Sequence, residues 1–229
     1  MKQCSLIVPI AADKPEYNSH IPYVFRMDES GTMYCLKAIL GLELSAFENI
    51  YITILKKHDM KYGIAGMLYL QIERLQLKNV HICVLEKSTR NQAESIYQTI
   101  KQEYIMGAIY IKDSDGYFKS EVIVQNGVAV CPIETLQVLK PQNKSYVSVD
   151  NMYYITNIIE KKVIGHMINV GGYCFEDCQE FCRYFERLMA KNEKLYLSHI
   201  VYAMLLDGIV FRPFVTTEYI DFEMLDIYE

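Results

Sequence analysis

No run of about 18 apolar residues occurs in the sequence, so no membrane-spanning helix is expected. The apolar stretch near the start, Leu6 to Ala12, is too short to span a bilayer and reads as a buried first strand rather than a leader. Positive charge is not in excess either. Lys and Arg number 23 against 28 Asp and Glu, a formal net charge of −5. A generic nucleic-acid surface neutralises phosphates with clustered Lys and Arg, so no nucleic-acid partner is expected, although a local basic cleft stays open. Cysteine pairing is lacking as well. The seven cysteines, at 4, 35, 83, 131, 174, 178 and 182, have an odd count and no framework spacing. That pattern points to reduced thiols in a cytoplasm. Cys174, Cys178 and Cys182 follow i, i+4 spacing. No fourth ligand is evident, and soft tetrahedral sites space their cysteines more closely, so a buried helix face is the preferred reading. Tryptophan is absent and tyrosine abundant, at 19, which decides nothing about function.

What is present is ordinary globular composition: 51% apolar and 22% charged residues over 229 positions. A chain of this length buries roughly 70% of its unfolded surface and suits one large α/β domain. Ser5–Ile10 is a continuous apolar run, as expected of a strand covered on both faces. Asn49–Leu55, Val80–Val84 and Gly107–Ile111 read the same way, separated by helical stretches at Met33–Leu40, Lys61–Leu75 and a third running to about Gln102. Thr89 is the expected N-cap of that third helix, with Gln92 completing a capping box. The alternation β-α-β-α-β-α-β predicts a parallel sheet with helices on both faces.

After residue 120 the pattern changes. Gly127–Pro132, Tyr146–Val149, Tyr153–Glu160 and His166–Phe175 read as strands, with a turn at Asp150–Asn151. A helix follows, started by Asp177 and Glu180 and ending near Ala190, then a helix over Leu197–Asp207 and a short strand over Ile209–Phe214. One domain over 1–229 is expected, with a parallel half at 1–120 and a mixed half at 121–229.

In open α/β sheets, ligands sit beyond the carboxyl ends of the strands. Three segments should meet there: the loop Pro9–Lys14, the start of the helix at Thr89–Glu94, and Lys112-Asp113-Ser114-Asp115-Gly116. Helix N-termini suit anionic partners. Two carboxylates at i, i+2 repel unless a cation lies between them, and Mg²⁺ takes one or two carboxylates plus substrate phosphates. A turn needs the same residue types, so position after a buried strand is what favours the metal reading. Glu160–Lys161–Lys162 at a strand end could meet sugar hydroxyls and phosphate, and Gly171–Gly172 would admit a close ligand; a solvated charge run and a strand bulge are the plain alternatives.

In order and spacing, these segments resemble the bacterial sugar-nucleotidyltransferase family, with its Rossmann-like, mainly parallel sheet of the nucleotide-diphosphosugar transferase type. The resemblance runs through LIVPIA at Leu6–Ala11, TRNQAESI at Thr89–Ile96 and IYIKDSD at Ile109–Asp115. It continues through NIIEKKVIGHMINVGGYCF at Asn157–Phe175, LSHIVYAMLLDG at Leu197–Gly208 and EYIDFEMLDIY at Glu218–Tyr228. It implies an NTP and a phosphorylated acceptor as substrates, Mg²⁺ (or Mn²⁺) as cofactor, and a role in capsule or surface-polysaccharide synthesis. It implies that Asp115, helped by Asp113, and Asp221 bind metal. Pro9, Ala11, Ala12, Gln92, Ala93 and Glu94 would contact the nucleotide, and Glu160, Lys161, Gly171 and Gly172 the acceptor. The family's Gly-rich loop and its Arg are absent, and its Pro-Lys pair falls at Pro22–Tyr23. Lys14 or Arg26 is then expected to supply the positive charge for catalysis beside Asp115, and the resemblance assigns nucleotide binding to 1–120 and acceptor binding to 121–229. Three readings stay open: a nucleotidyltransferase, a relative that binds nucleotide or sugar nucleotide without transfer, and a glycosyltransferase using the Asp-x-Asp. The oligomeric state stays open too.

Overall fold

The computed structural model describes residues 3–135, 144–190 and 194–222. In chain order its main elements are β1 (Cys4–Ile10), α1 (Tyr34–Lys37), β2 (Asn49–Leu55), α2 (Lys56–Tyr62), α3 (Ile64–Arg74), β3 (Val80–Leu85), α4 (Gln92–Gln102) and β4 (Ala108–Lys112). Then come β5 (Gly116–Lys119), β6 (Gly127–Pro132), β7 (Ser145–Val149), β8 (Ile155–Glu160), β9 (Met167–Phe175), α5 (Cys178–Met189), α6 (Leu197–Leu206), β10 (Arg212–Val215) and β11 (Thr217–Asp221).

Among the described residues the main sheet has nine strands, with the order β10-β6-β9-β4-β1-β2-β3 and with β7 and β8 attached through β9. β1 lies between β2 and β4, parallel to both, and β3 extends the parallel part. β9 runs antiparallel to both β4 and β6, and it joins the two halves. The expected mixed, mainly parallel α/β sheet is therefore observed.

β1 shows why its sequence is apolar throughout. Leu6 and Val8 pack with Ile64 and Leu68 of α3 and with Leu36 of α1. Ile7, between them, packs on the other face with Ala93, Ile96 and Ile100 of α4 and with Ile109 and Ile111 of β4. Side chains alternate faces along a strand, so a strand covered twice must be apolar twice. Each fully buried aliphatic side chain contributes about 1.5–3 kcal/mol. Removing those of β1 would open both layers at once. Among the described residues no helix is long and apolar enough to cross a membrane.

Three expectations need correction, and one strand pair goes beyond what the sequence pattern shows. The helix expected over Lys61–Leu75 is two helices, broken at Gly63. Gly63 takes a left-handed φ of +65° and closes α2 by donating to Asp59 O at 2.7 Å, and Asp59 Oδ1 accepts from Ala65 N at 2.7 Å to start α3. The N-cap of α4 is Asn91, not Thr89: Asn91 Oδ1 accepts from Glu94 N at 3.0 Å, and Thr89 instead shares a 2.6 Å hydrogen bond with Ser95 Oγ. Thr89 competes poorly because Asn91 already stands two residues closer, in the extended backbone a cap requires. Cys174 lies in β9 while Cys178 and Cys182 lie in α5, so the three share no helix face. Finally, β5 and β11 form a separate antiparallel pair that the sequence pattern does not reveal, with Asp221 opposite Gly116.

The cap assignment gives a direct test. Asn91→Ala should lower stability by about 1 kcal/mol in urea denaturation. Thr89→Ala should cost clearly less, and the reverse order would return the cap to Thr89.

Candidate active site

The site is built from the loop that follows β4. Within β4, Tyr110 and Lys112 fall on the same face by strand alternation. Lys112 is fully buried, at 0% exposure. A buried ammonium needs partners, and this one has them inside its own loop. Nζ donates to Asp113 O at 2.8 Å and to Gly116 O at 2.6 Å, and it stands 4.5 Å from the centre of the Phe118 ring. Burial pulls its pKa down to about 8, against the opposing pull of Asp113 and Asp115. The loop is therefore wrapped around the ammonium, and the two aspartates project from a fixed backbone.

Asp113 is tied on three sides. Its N–H donates to Gly171 O at 2.7 Å, and its Oδ1 accepts from Gln92 Nε2 at 2.5 Å. Gly171 has a left-handed φ of +82°, and a Cβ there would fall 2.5 Å from Asp113 Oδ2. The turn at Gly171 is held by its own N–H, which donates to Asn169 Oδ1 at 3.0 Å. Burial, with the neighbouring Asp115 charge, pushes the Asp113 carboxyl up to about 6, while Lys112, Gln92 and Lys144 pull the other way. Asp115 is exposed, and its carbonyl accepts from Phe222 N at 2.9 Å, which docks the end of β11 beside the loop.

Two cavities meet at these carboxylates. The larger, about 560 Å³, runs between the first loop (Pro9, Ala12, Lys14), the segment Pro22–Val24, the start of α4 and the end of the chain region before α6. The smaller, about 160 Å³, is walled by Lys144, Ser145, Glu160, Asn169, Gly171 and Tyr219. Gln92, Asp113, Asp115 and Tyr196 line both. The arrangement offers one long compartment, one short polar compartment and an acidic boundary between them.

No family profile matches the sequence, and no curated protein matches it in sequence. Solved structures do resemble the fold. A nucleoside-diphosphate-sugar pyrophosphorylase from Vibrio cholerae RC9 superposes with a TM-score of 0.79 at 14% identity, covering 97% of this chain and 97% of that one. An inositol-1-phosphate CTP transferase from T. maritima gives 0.70 at 14% identity, covering 96% and 89%. HddC from Yersinia pseudotuberculosis gives 0.63 at 16% identity, covering 96% and 93%.

The chain has the nucleotide-diphosphosugar pyrophosphorylase fold.

On this fold the sequence-predicted residues divide into groups. Pro9, Ala12, Lys14, Gln92, Asp113 and Asp115 line the larger cavity. Glu160 and Gly171 line the smaller. Others turn away. Ala11 is buried with Leu55, Cys83 and Leu85, because strand alternation at the end of β1 points it inward. Ala93 is buried against Ile7 and Ile96, on the face of α4 that packs on the sheet. Glu94 is engaged by Arg90, accepting from its backbone N at 2.6 Å and from its guanidinium at 2.8 Å. Arg26 is not among the described residues that line either cavity; the turn Tyr23–Phe25 brings Pro22, Tyr23 and Val24 there instead. Lys161 has a left-handed φ of +57° and lies over the Tyr196 ring at 5.4 Å, outside the smaller cavity. Gly172 serves packing: a Cβ there would fall 2.6 Å from Ala129 Cβ and 2.8 Å from Phe118 Cζ.

The first loop is organised without glycine. Asp13 accepts from Lys57 Nζ at 3.0 Å and sits 3.3 Å from His58 Nε2. Lys57, chiefly, holds the Asp13 carboxyl below its ordinary range. Lys14 stands 5.7 Å from the centre of the Tyr17 ring, at the cavity wall.

Sequence reasoning missed Arg90, Lys194 and Tyr196 in the larger cavity and Lys144, Ser145 and Asn169 in the smaller. Ser198 of α6 was missed too: it donates to Glu160 Oε2 at 2.9 Å, and Ser145 Oγ donates to the same oxygen. The segment LSHI at the start of α6 is the one local signal, a hydroxyl in the first turn of an otherwise apolar helix. Asp221 accepts from Lys144 Nζ at 2.5 Å and lies 3.4 Å from Tyr219 Oη, and Lys144 Nζ also donates to Tyr219 Oη at 2.8 Å. Burial works against the Lys144 ammonium, but Tyr219 and Asp221 outweigh it and raise its pKa. Among the described residues no three His, Cys, Asp or Glu side chains gather as a ready metal cage. Asp113 and Asp115, two carboxylates at the junction of the cavities, are the pair whose hard oxygens fit a hard cation.

Two measurements follow. Lys112→Met should destabilise the fold by about 2 kcal/mol in urea, because two buried carbonyls lose their donor. The second concerns pH in EDTA. The folded Asp113 carboxyl has its pKa raised from 3.8 to about 6. Its stabilising term is therefore complete below about pH 4 and lost as pH rises through about 6. The stability of wild type relative to Asp113→Asn should fall across that window by roughly 2 kcal/mol. A difference that stays flat from pH 4 to 7 would contradict the assignment.

Proposed function

We propose that the protein is a nucleotidyltransferase that moves a nucleoside monophosphate from an NTP to a sugar phosphate or a related phosphorylated polyol. The observation that carries this is the junction of a long and a short polar cavity at Asp113 and Asp115, at the carboxyl end of a parallel sheet. The NTP would occupy the larger cavity and the acceptor the smaller. A phosphate oxygen of the acceptor attacks the α-phosphorus of the NTP, the bond between the α-phosphorus and its bridging oxygen breaks, and pyrophosphate leaves.

The chain's own residues do the positioning. Gln92 fixes Asp113 from the helix side and Gly171 clears space for it from the strand side. Glu160, oriented by Ser145 and Ser198, would accept hydrogen bonds from acceptor hydroxyls. Lys14, Arg90 and Lys194 line the larger cavity and would meet the triphosphate. Tyr23 and Tyr196 line the same cavity and present rings that suit a base or a sugar face. Asp113 and Asp115 would hold Mg²⁺ or Mn²⁺, and that ion would neutralise phosphate charge that two carboxylates alone would repel. In-line placement of the two substrates supplies much of the rate.

Buried cysteines that form no disulfide among the described residues fit a cytoplasmic setting, and an activated sugar nucleotide is what capsule or surface-polysaccharide assembly consumes. A second reading, a relative that binds but does not transfer, draws on the glycine-free first loop and on Tyr23 at the cavity where a Lys is expected.

The test is pyrophosphate release with each NTP, a panel of sugar and polyol phosphates, and Mg²⁺. Asp115→Ala should lower turnover about a thousandfold or more while leaving the melting temperature close to wild type. Full turnover in that variant would rule the mechanism out. Nucleotide-dependent stabilisation without pyrophosphate release from any pair would favour the binding relative. Hydrolysis or transfer from a sugar nucleotide with no use of free NTP would favour a glycosyltransferase.

A further inference from the structure

Asp221 is the residue that the resemblance assigns as a second metal ligand, and in this chain another cation is on it. The ammonium of Lys144 lies 2.5 Å from Asp221 Oδ2 and 2.8 Å from Tyr219 Oη, with the Tyr219 hydroxyl 3.4 Å from the same carboxylate oxygen. The three groups form a closed triangle. Both Lys144 and Asp221 are largely shielded, at 22% and 19% side-chain exposure, so water screens the pair only in part. Lys144 and Tyr219 also line the smaller cavity together with Asp113 and Asp115, which places the triangle at the acidic boundary and not on a remote surface. Backbone pairing fixes it there, because Asp221 lies opposite Gly116 in the β5–β11 pair.

We propose that Lys144 is a resident cation of the site, standing on Asp221 where a divalent ion would otherwise bind. Asp221 is then the counter-ion and positioning residue for Lys144. The metal is left to Asp113, Asp115 and the phosphates of bound substrate. Two carboxylates and water make a weak site for a small divalent cation, since affinity rises with the number of charged oxygen ligands. Metal binding therefore waits for nucleotide. The proposal rests on the nucleotidyltransferase reading for the site's purpose but not for its test.

The test is Mn²⁺ binding without nucleotide, read by electron paramagnetic resonance of the free ion, in the full-length protein. Wild type should bind weakly. Lys144→Gln should bind at least tenfold more tightly, because Asp221 becomes available to the ion. Lys144→Gln combined with Asp221→Asn should return to weak binding. Lys144→Arg, which keeps the charge, should stay near wild type and covers the case in which the Gln variant does not fold. Wild type that binds tightly and loses Mn²⁺ on Asp221→Asn would overturn the proposal, as would a folded Lys144→Gln with unchanged affinity. If Lys144→Arg is the sole folded variant, tighter Mn²⁺ binding in it than in wild type would overturn it as well. Stabilisation of wild type by NTP with Mg²⁺, measured beside this, tests the functional reading separately. A gain of Mn²⁺ affinity in Lys144→Gln with no response to any NTP would keep the resident cation and reject the transferase.

Discussion

The bonds from the buried ammonium of Lys112 to the carbonyls of Asp113 and Gly116 set the geometry on which the site depends. An ammonium taken out of water costs several kcal/mol unless its donors are met. Here the loop itself meets them, so the loop cannot straighten without leaving the charge unpaired. That constraint passes outward. Gly116 begins β5, β5 pairs with β11, and β11 carries Tyr219 and Asp221. Asp115 accepts from Phe222 through the same turn. The placement of the C-terminal strand thus follows from a side chain that never reaches the cavity.

The electrostatics of the site follow from the same arrangement. Asp113, Asp115 and Glu160 border the smaller cavity, while Lys112 faces inward and Lys144 is engaged by Asp221. Negative charge at the boundary is therefore only partly compensated, and burial, followed by the Asp115 charge, makes Asp113 hold its proton to higher pH. Such a boundary is hostile to a phosphate unless a cation arrives with it. On the proposed reading, the binding of metal and the binding of anionic substrate would be coupled through charge alone.

What the sequence made legible, and what it hid, divides along the range of the interactions. The strands of the parallel half could be read because burial on two faces leaves only apolar residues, as in Ser5–Ile10 and Asn49–Leu55. The Asp-x-Asp could be placed because it follows such a strand. The pairing of β5 with β11 could not, because it joins Gly116 to Asp221 across almost the whole second half of the chain and neither strand has an apolar run. Separation along the chain also hid the Lys144–Asp221 pair, 77 residues apart, and the hydrogen bond of Ser198 to Glu160, 38 apart. Errors at close range had another cause. Ala11, Ala93 and Gly172 lie inside segments that do reach the site, but resemblance assigns a segment, while alternation along a strand or helix decides which of its side chains face the ligand. Gly63 divided a helix whose apolar spacing runs on through the break.

On the proposed reading, the first loop would meet phosphate without the glycine-rich turn that the resemblance leads one to expect. A glycine-rich turn can aim successive backbone N–H groups at an anion, because glycine tolerates the conformations required. Ala11-Ala12-Asp13-Lys14 has no glycine, and Asp13 would repel a phosphate if it faced one. Asp13 does line the larger cavity, but Lys57, at the start of α2, meets its charge, with His58 Nε2 3.3 Å away. Lys14 stays at the cavity wall beside Tyr17. On the proposed reading the loop would offer phosphate a single point charge in place of a cradle of backbone dipoles. A lysine attracts phosphate without directing it, as it lacks the planar fork that fixes orientation. Under the proposed function, orientation of the phosphates would come from the far wall: the start of α4 capped by Asn91, and the Asp113–Asp115 loop with the metal proposed there. On that reading the precision of the site lies in the loop after the fourth strand and not in the loop after the first.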